Sequence, residues 1–200
     1  MAIHIDEAEQ HPQVRALYEA IGRFVVEFEQ AGHAMQVCIT LILWKAGLHD
    51  QRLSQIVLAG LTAEPLRSLF ESVVGQQIKL TELERKMMKN ATTRFQDLIS
   101  ERNDVIHATW FIGWGDGPTD DFSTASGRKL HKNKEGAAPK SFSHKVEDFA
   151  TLSAEARALQ EIFQRLNFCF LGGASIEKNF IFLENGALSV PPGVGNVLKM

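Results

Sequence analysis

Apolar residues recur at every third or fourth position over most of the chain, and this spacing predicts amphipathic helices. The first helix is expected to begin at Pro12, because proline suits a first helical turn, and to end before Gly47. Thr62 is expected to be the N-cap of a later helix, with Pro65 in its first turn. The predicted helices span about 12–45, 52–59, 62–74, 80–109 and 149–171.

Two local features of these helices are also predicted. The stretch 90–93 combines residues of low helix propensity, so a break is expected within the helix over 80–109. Ser153 is a suitable N-cap for the last helix, and Gly172 and Gly173 are expected to end it.

The character of the sequence changes after His107. The segment ATWFIGW is rich in aromatic and β-branched residues, and the turn formers GDGP follow at 115–118. A β-hairpin or irregular arm is therefore predicted over about 107–147. The segment over about 184–200 contains prolines and glycines and is expected to be loose. The predicted fold class is mainly α, a helical bundle with this arm inserted.

The length and composition fit a single domain over residues 1–200, because a chain with 44% hydrophobic content can bury one core. The first residues include acids and no long apolar run, and no stretch approaches the ~18 apolar residues of a membrane span. The sequence therefore predicts a cytoplasmic protein with no membrane partner. Cys38 and Cys169 lie in apolar runs without a CxxC spacing, which predicts buried thiols.

Charge is unevenly distributed along the chain. The formal net charge of -3 argues against a protein that coats nucleic acid in general. The segment 128–145 is nevertheless basic, with Glu135 as its one acid. Its basic residues are Arg128, Lys129, Lys132, Lys134, Lys140 and Lys145. Two interpretations stay open, since the segment could contact phosphates or could simply be a solvated loop.

Common catalytic motifs are missing from the sequence, namely the P-loop, GxGxxG, HExxH and GxSxG patterns. The histidines include no pair four residues apart, so the sequence predicts no metal site and no cofactor. The best candidate for chemistry is the segment LISERNDVIHATW over 98–110, near the end of a predicted helix. It contains Arg102, Asn103 and His107.

Helical geometry limits what these three residues can do together. A helix turns ~100° per residue, which places Asn103 and His107 ~40° apart around the axis, close enough for their side chains to touch. Arg102 and His107 would be ~140° apart, so a regular helix in one chain does not direct both to one small target. Either the helix unwinds near His107, or a site combines the motifs of two copies about a two-fold axis.

A structural role for Arg102 is the alternative. Arg102 follows the apolar stripe of Leu98 and Ile106, so it is expected to face the core or an interface. A buried guanidinium needs an anionic partner, which Glu27 or Glu29 of the first helix could supply.

The motif of Arg102, Asn103 and His107, with four residues between the arginine and the histidine, resembles that of the HEPN superfamily. Members of this superfamily are helical-bundle proteins in which the motif lies near a helix end. The resemblance implies a metal-independent endoribonuclease of a toxin or phage-defence system. It also implies a homodimer whose paired motifs line a shared cleft, and an antitoxin or regulatory protein as a further partner.

The resemblance implies a role for each residue. His107 would act as general acid or base on the ribose 2′-hydroxyl or the leaving oxygen, Arg102 would bind the scissile phosphate, and Asn103 would position the reacting groups. The RNA contacts would come from the arm, at Arg128, Lys129, Lys132 and Lys134. Trp110 and Trp114 would either stack on bases or pack within the arm.

The alternative function is of a different class. It is a non-catalytic helical scaffold that binds a nucleotide or a protein partner. In such a scaffold, Arg102 would serve only to hold the bundle together.

Overall fold

The computed structural model describes residues 11–113, 121–133 and 136–192. Its helices are α1 (Pro12–Lys45), α2 (Gln51–Leu58), α3 (Ala63–Gln77), α4 (Glu82–His107), α5 (Val146–Gly172) and α6 (Ile176–Asn179). Its strands are β1 (Thr109–Phe111), β2 (Thr124–Asn133), β3 (Gly136–Lys145), β4 (Ile181–Phe182) and β5 (Leu188–Ser189). The predicted fold class is confirmed, because the protein is mainly α with a β arm inserted between two long helices.

Some sequence predictions fall outside the described residues. They concern the turn over 115–118, the side chain of Trp114, the phosphate contact of Lys134 and the chain from residue 193 onward.

The predicted helix ends agree with the structure in the first part of the chain. α1 has the predicted bounds and is followed by Gly47, whose φ of 104° is a left-handed conformation that glycine adopts at little steric cost. α2 begins after Asp50, whose carboxylate accepts hydrogen bonds from the backbone N–H groups of Arg52 and Leu53. α3 begins after Thr62 as predicted, although the Thr62 side chain makes no capping hydrogen bond.

The described chain divides into two compact units. The first lies within Met1–Phe28 and Ser100–Glu155 and contains the β1–β3 sheet with the adjoining parts of α1, α4 and α5. The second lies within Glu29–Ile99 and Ala156–Met200 and contains α2, α3, α6, the β4–β5 hairpin and the rest of the long helices. The candidate motif and the basic arm therefore both belong to the first unit.

Aromatic rings from three helices build the core of the second unit. The ring of Phe163 in α5 meets those of Phe70 and Phe95 edge to face, with centroid separations of 5.6 and 5.7 Å. The Cys38 thiol donates a hydrogen bond to the Phe163 carbonyl at 3.3 Å. Cys38 and Cys169 are buried and free, as predicted. Burial raises the pKa of both thiols, that of Cys169 to about 11, so both stay protonated and pack as small apolar groups.

The predicted helix break over 90–93 is wrong, because α4 is continuous through this stretch. The Asn90 amide donates a hydrogen bond to the Gly186 carbonyl at 3.1 Å, and its oxygen accepts one from the Leu188 N–H at 3.0 Å. Because the hairpin satisfies this side chain, the amide does not compete for the backbone of its own helix. Thr92 is buried, so tertiary packing outweighs the low helix propensity of the stretch.

The predicted N-cap at Ser153 is also wrong. α5 begins at Val146, and Ser153 lies buried inside the helix, where its hydroxyl donates a hydrogen bond to the Phe149 carbonyl at 2.8 Å. The earlier start has a local cause. The carboxylate of Asp148, in the first turn, accepts a hydrogen bond from the Lys145 N–H at 2.8 Å.

The segment over about 184–200 was expected to be loose, yet its described part contains β5. This strand pairs with β4 in an antiparallel hairpin, with Ile181 opposite Ser189. The Arg94 guanidinium donates a hydrogen bond to the Leu188 carbonyl at 2.7 Å, which adds to the Asn90 contacts on the same strand. Side chains of α4 therefore order a segment whose composition alone indicates a loop.

The strands of the arm form an antiparallel sheet in the order β1, β2, β3. Its register places Trp110 opposite Gly127 and Gly127 opposite Phe142. Successive side chains of a strand alternate between the two faces of the sheet. The face that packs against the rest of the unit, here called the inner face, carries Trp110, Ala125, Gly127, Lys129, Lys140, Phe142 and His144. The opposite or outer face carries Thr109, Thr124, Ser126, Arg128, Ser141, Ser143 and Lys145.

Candidate functional site

Arg102 lies half-buried near the end of α4. Its guanidinium carbon is 5.6 Å from the centre of the Phe28 ring, a cation–π distance, and its Nε is shielded from solvent. Leu98 and Ile106 were expected to share the apolar face of the helix with Arg102. Leu98 is buried, whereas Ile106 is 41% exposed. The ring of Phe28, from α1, is a neighbour of Arg102 that the sequence pattern did not predict.

His107 is the last residue of α4, and its side chain is exposed. Asn103 lies one turn earlier and is half-buried. Within the described part of the chain, no hydrogen bond joins the Asn103 amide to the His107 imidazole, so the contact that the spacing permits is not formed. α4 stays helical through His107, and β1 begins at Thr109. Of the two geometries left open by the sequence, an end of the helix near His107 is observed, although the helix does not unwind before that residue.

An ion cluster joins the sheet to the last turns of α4. The Lys129 ammonium donates to a carboxylate oxygen of Asp104 at 3.1 Å and to the Asn103 carbonyl at 3.4 Å. The Lys140 ammonium donates to the other oxygen of Asp104. Lys129 and Lys140 are directly opposite each other on β2 and β3. One carboxylate of the helix therefore holds both lysines of an inner-face pair.

The electrostatics of Asp104 follow from this arrangement. Burial alone would raise the pKa of Asp104, but the hydrogen bonds and charges of Lys140 and Lys129 outweigh it, and the pKa lies below its ordinary value. The hydrogen bond and charge of Asp104 raise the pKa of Lys140. Asp104 and Lys140 are therefore both ionised at neutral pH.

The sequence reasoning missed this cluster, although Asp104 stands inside the candidate motif. The two lysines lie 25 and 36 residues away from Asp104 in sequence, and only the strand register brings them together. The sequence does contain a signal for this cluster. Asp104 is an acid near a helix end, and the basic segment 128–145 contains Glu135 as its one acid.

The predicted RNA contacts divide between the two faces of the sheet. Arg128 is exposed on the outer face. Lys129, on the inner face, is engaged by Asp104, so its ammonium is not free for a phosphate in this structure. Lys132 lies within β2, and Lys134 is outside the described residues. The structure therefore separates residues that were predicted to act together.

Trp110 is part of the packing of the arm. Its indole N–H donates a hydrogen bond to the Val105 carbonyl at 2.7 Å. Its ring lies 5.4 Å from that of Phe142 and 5.7 Å from that of Phe149, in edge-to-face contacts. The ring of His144 joins this cluster at 5.2 Å from Phe149. Of the two roles considered for Trp110, packing is the one that these contacts support.

Two general features concern ligands and membranes. Among the described residues, no group of three or more His, Cys, Asp or Glu side chains is arranged to hold a metal ion. No helix in the described ranges has the length and apolar character needed to cross a membrane.

Comparisons with protein-family models, with curated proteins and with solved structures give no match to this chain.

Proposed function

We propose that the protein is a metal-independent endoribonuclease of the HEPN type that acts as a homodimer. The supporting observation is the exposed imidazole of His107 at the last residue of α4, in a segment that also carries Arg102 and Asn103. Histidine side chains exchange protons near neutral pH, which suits general acid–base catalysis. An exposed helix end is accessible to a polymeric substrate.

The proposed reaction is an in-line displacement at phosphorus. The ribose 2′-oxygen loses its proton to a base and forms a bond to phosphorus, while the bond from phosphorus to the 5′-oxygen breaks. The leaving 5′-oxygen gains a proton, and the products are a 2′,3′-cyclic phosphate and a 5′-hydroxyl. His107 serves as base or acid in these transfers, and Arg102 stabilises the charge that develops on the phosphate.

The dimer is part of the proposal because of helix geometry. α4 is helical through His107, so Arg102 and His107 of one chain lie about 140° apart around its axis. A two-fold axis beside the helix ends would bring the arginine of one copy towards the histidine of the other.

The test is cleavage of a mixed pool of single-stranded RNA in the presence of EDTA. We expect wild-type protein to produce cyclic-phosphate ends and His107→Ala to lose activity by about 100-fold or more, the usual contribution of a general acid or base. Arg102→Ala is expected to lose a similar factor because it removes a charge-stabilising donor. Equal cleavage by all three proteins, or none by wild type at high concentration, contradicts the proposal.

Mixing the two inactive variants tests the shared site separately. If Arg102 and His107 of different copies act together, a mixed dimer of His107→Ala and Arg102→Ala retains one intact pair and recovers part of the activity. Activity that is present in the wild type but never recovered on mixing would place both residues in one chain. Light scattering checks that both variants still dimerise.

A second candidate function rests on the packing of Arg102. Its guanidinium lies over Phe28 and its Nε is shielded from solvent, as expected of an arginine that stabilises a bundle. In this case the protein is a non-catalytic scaffold that binds a nucleotide or a protein partner. Arg102→Lys tests this role, because loss of stability in the variant, together with no cleavage of RNA by the wild type, favours the scaffold.

A further inference from the structure

Because side chains alternate between the faces of a sheet, Arg128 lies on the opposite face from its sequence neighbours Gly127 and Lys129. Gly127 lies under the Phe142 ring and Lys129 is paired with Asp104, both on the inner face. Arg128 lies on the outer face and is exposed. Within the described residues it makes no ion pair, in contrast to the two lysines that share Asp104. Its guanidinium is therefore available to an anion from outside the chain.

The chain path places Arg128 near His107. Thr109 follows His107 by two residues, so their Cα atoms are at most about 7.6 Å apart. Thr109 is the cross-strand partner of Arg128, and such partners have Cα atoms about 4.5–5.5 Å apart. The Cα atoms of His107 and Arg128 are therefore within about 13 Å of each other. An extended arginine side chain and an imidazole are together long enough to reach one phosphate group across this distance.

The groups around Arg128 suit a phosphate. Its partners across the outer face are the exposed Thr109 on β1 and the exposed Ser141 on β3. Hydroxyl groups and arginine are frequent donors to phosphate oxygens in nucleic-acid complexes. The sequences of β1, β2 and β3 contain no Asp or Glu, although the whole chain has a net charge of -3. The surroundings of Arg128 are therefore locally basic and lined by hydroxyl groups, while Leu130 is exposed further along the same face of β2.

We infer that His107 and Arg128 of the same chain form a binding site for one phosphodiester of single-stranded RNA, with Thr109 and Ser141 as flanking donors. The inference rests on the proposed RNA substrate and adds a cation that the sequence motif does not contain. Arg128 would hold a phosphate next to His107 within one chain, whereas Arg102 acts from a second copy. The planar guanidinium fork can donate two parallel hydrogen bonds to one phosphate.

The test uses a probe with one phosphate that cannot be cleaved, the 2′-O-methyl dinucleotide of uridine. Its binding is followed by NMR through the imidazole Cε1–H resonance of His107, assigned by comparison with His107→Ala. We expect a saturable shift in the wild type and binding about tenfold weaker in Arg128→Ala, as for loss of one charged hydrogen bond. Arg128→Lys is expected to fall between them because it keeps the charge and loses the fork.

Lys145→Ala is the matched control. Lys145 is a cation on the same face but four residue pairs further along β2 and β3, about 13 Å away. We expect binding of the dinucleotide by Lys145→Ala to equal that of wild type. Equal losses in Arg128→Ala and Lys145→Ala, no loss in Arg128→Ala, or no shift in the wild type at saturating probe would overturn the inference. Circular dichroism checks that the variants are folded.

Three further outcomes are decisive. A diglutamate peptide that shifts His107 as strongly as the dinucleotide would assign the surface to an acidic protein and contradict the RNA site. Cleavage of unmodified RNA is measured in parallel, so the two proposals can fail separately. Binding that depends on Arg128 without any cleavage supports this site and contradicts the enzyme, whereas cleavage unaffected by Arg128→Ala contradicts this site and leaves the enzyme standing.

Discussion

Gly127 lies on the inner face of the sheet, directly against the ring of Phe142. A Cβ atom at this position would be 2.4 Å from Cε2 of that ring, well inside van der Waals contact. The ring cannot move away freely, because it also packs against Trp110 and His144. Glycine is therefore required at position 127 of β2, where the ring of Phe142 lies directly against the backbone of the strand.

We predict that Gly127→Ala lowers the free energy of unfolding by about 1–3 kcal/mol, the usual cost of overpacking a filled site. Urea unfolding followed by Trp fluorescence measures it. Gly22→Ala is the control, since Gly22 is exposed in α1 and a Cβ there meets nothing within 4 Å. That change is expected to raise stability by about 0.5–1 kcal/mol through helix propensity. Equal effects of the two substitutions would contradict the packing argument.

Asp104 is one of the residues of α4 that hold the sheet, and its role can be tested by pH. Its pKa is lowered in the folded state, so the stabilisation is fully present above the ordinary value of 3.8. It is lost as the pH falls through the lowered pKa. Asp104→Asn is therefore expected to lower the free energy of unfolding by about 1 kcal/mol or less at pH 7, after allowance for solvent screening. The difference from wild type should shrink below pH 3.8.

The control for Asp104 is Glu19→Gln, which breaks the exposed pair between Glu19 and Arg23 on α1. Exposed pairs of this kind contribute little, so its unfolding curve should overlay that of wild type at pH 7. If Asp104→Asn is as stable as wild type at pH 7, the two lysine contacts do not hold the sheet in solution.

The motif residues themselves were only partly predictable. Their helical spacing predicts the angle between Arg102 and His107, and α4 is helical through His107 as that prediction requires. The ring of Phe28 beside Arg102 and the lysines beside Asp104 come from other elements of the unit. Contacts between distant parts of the chain depend on register and packing, which local spacing does not encode.

At the scale of elements, α4 shows how tertiary contacts override local propensity. The weak stretch over 90–93 stays helical while Asn90 makes two hydrogen bonds to the β4–β5 hairpin. The same contacts order the hairpin, whose sequence indicates a loop. Each element therefore stabilises the other, and neither would be predicted with its observed form in isolation.

Asn90→Ala tests this coupling, because alanine is the better helix former. If local propensity dominated, the substitution would stabilise the protein. We predict the opposite, a loss of about 1–2 kcal/mol, since two hydrogen bonds disappear and the Leu188 N–H loses its acceptor. Hydrogen exchange at the Leu188 amide should accelerate as well. Lys89→Ala, an exposed neighbour on α4, controls for propensity alone, and a stabilised Asn90→Ala would disprove the coupling.

At the scale of the whole molecule, the distribution of charge matters more than its sum. The chain has a net charge of -3, yet its sheet carries no acid and presents Arg128 and Lys145 on an exposed face. Average acidity disfavours general binding to nucleic acid, whereas a local basic face is compatible with a short contact beside His107. The proposed RNA site is accordingly small and local.

The proposed dimer belongs to the same scale. Because α4 is regular through His107, one chain does not direct Arg102 and His107 to one point. A second copy supplies the missing group in the proposed enzyme, and Arg128 supplies a cation within the same chain. The mixing experiment and the dinucleotide titration separate these contributions.

The local sequence alone predicted the mainly α fold, the bounds of α1, the buried thiols and a β arm after His107, since each depends on residues close in sequence. Tertiary structure decided the continuity of α4, the start of α5 and the ordering of β5. It also decided which cations are available, because the β2–β3 register pairs Lys129 with Lys140 against Asp104 and leaves Arg128 on the opposite face. Strand register is set by contacts between residues far apart in the chain, and these contacts exist only after the chain has folded.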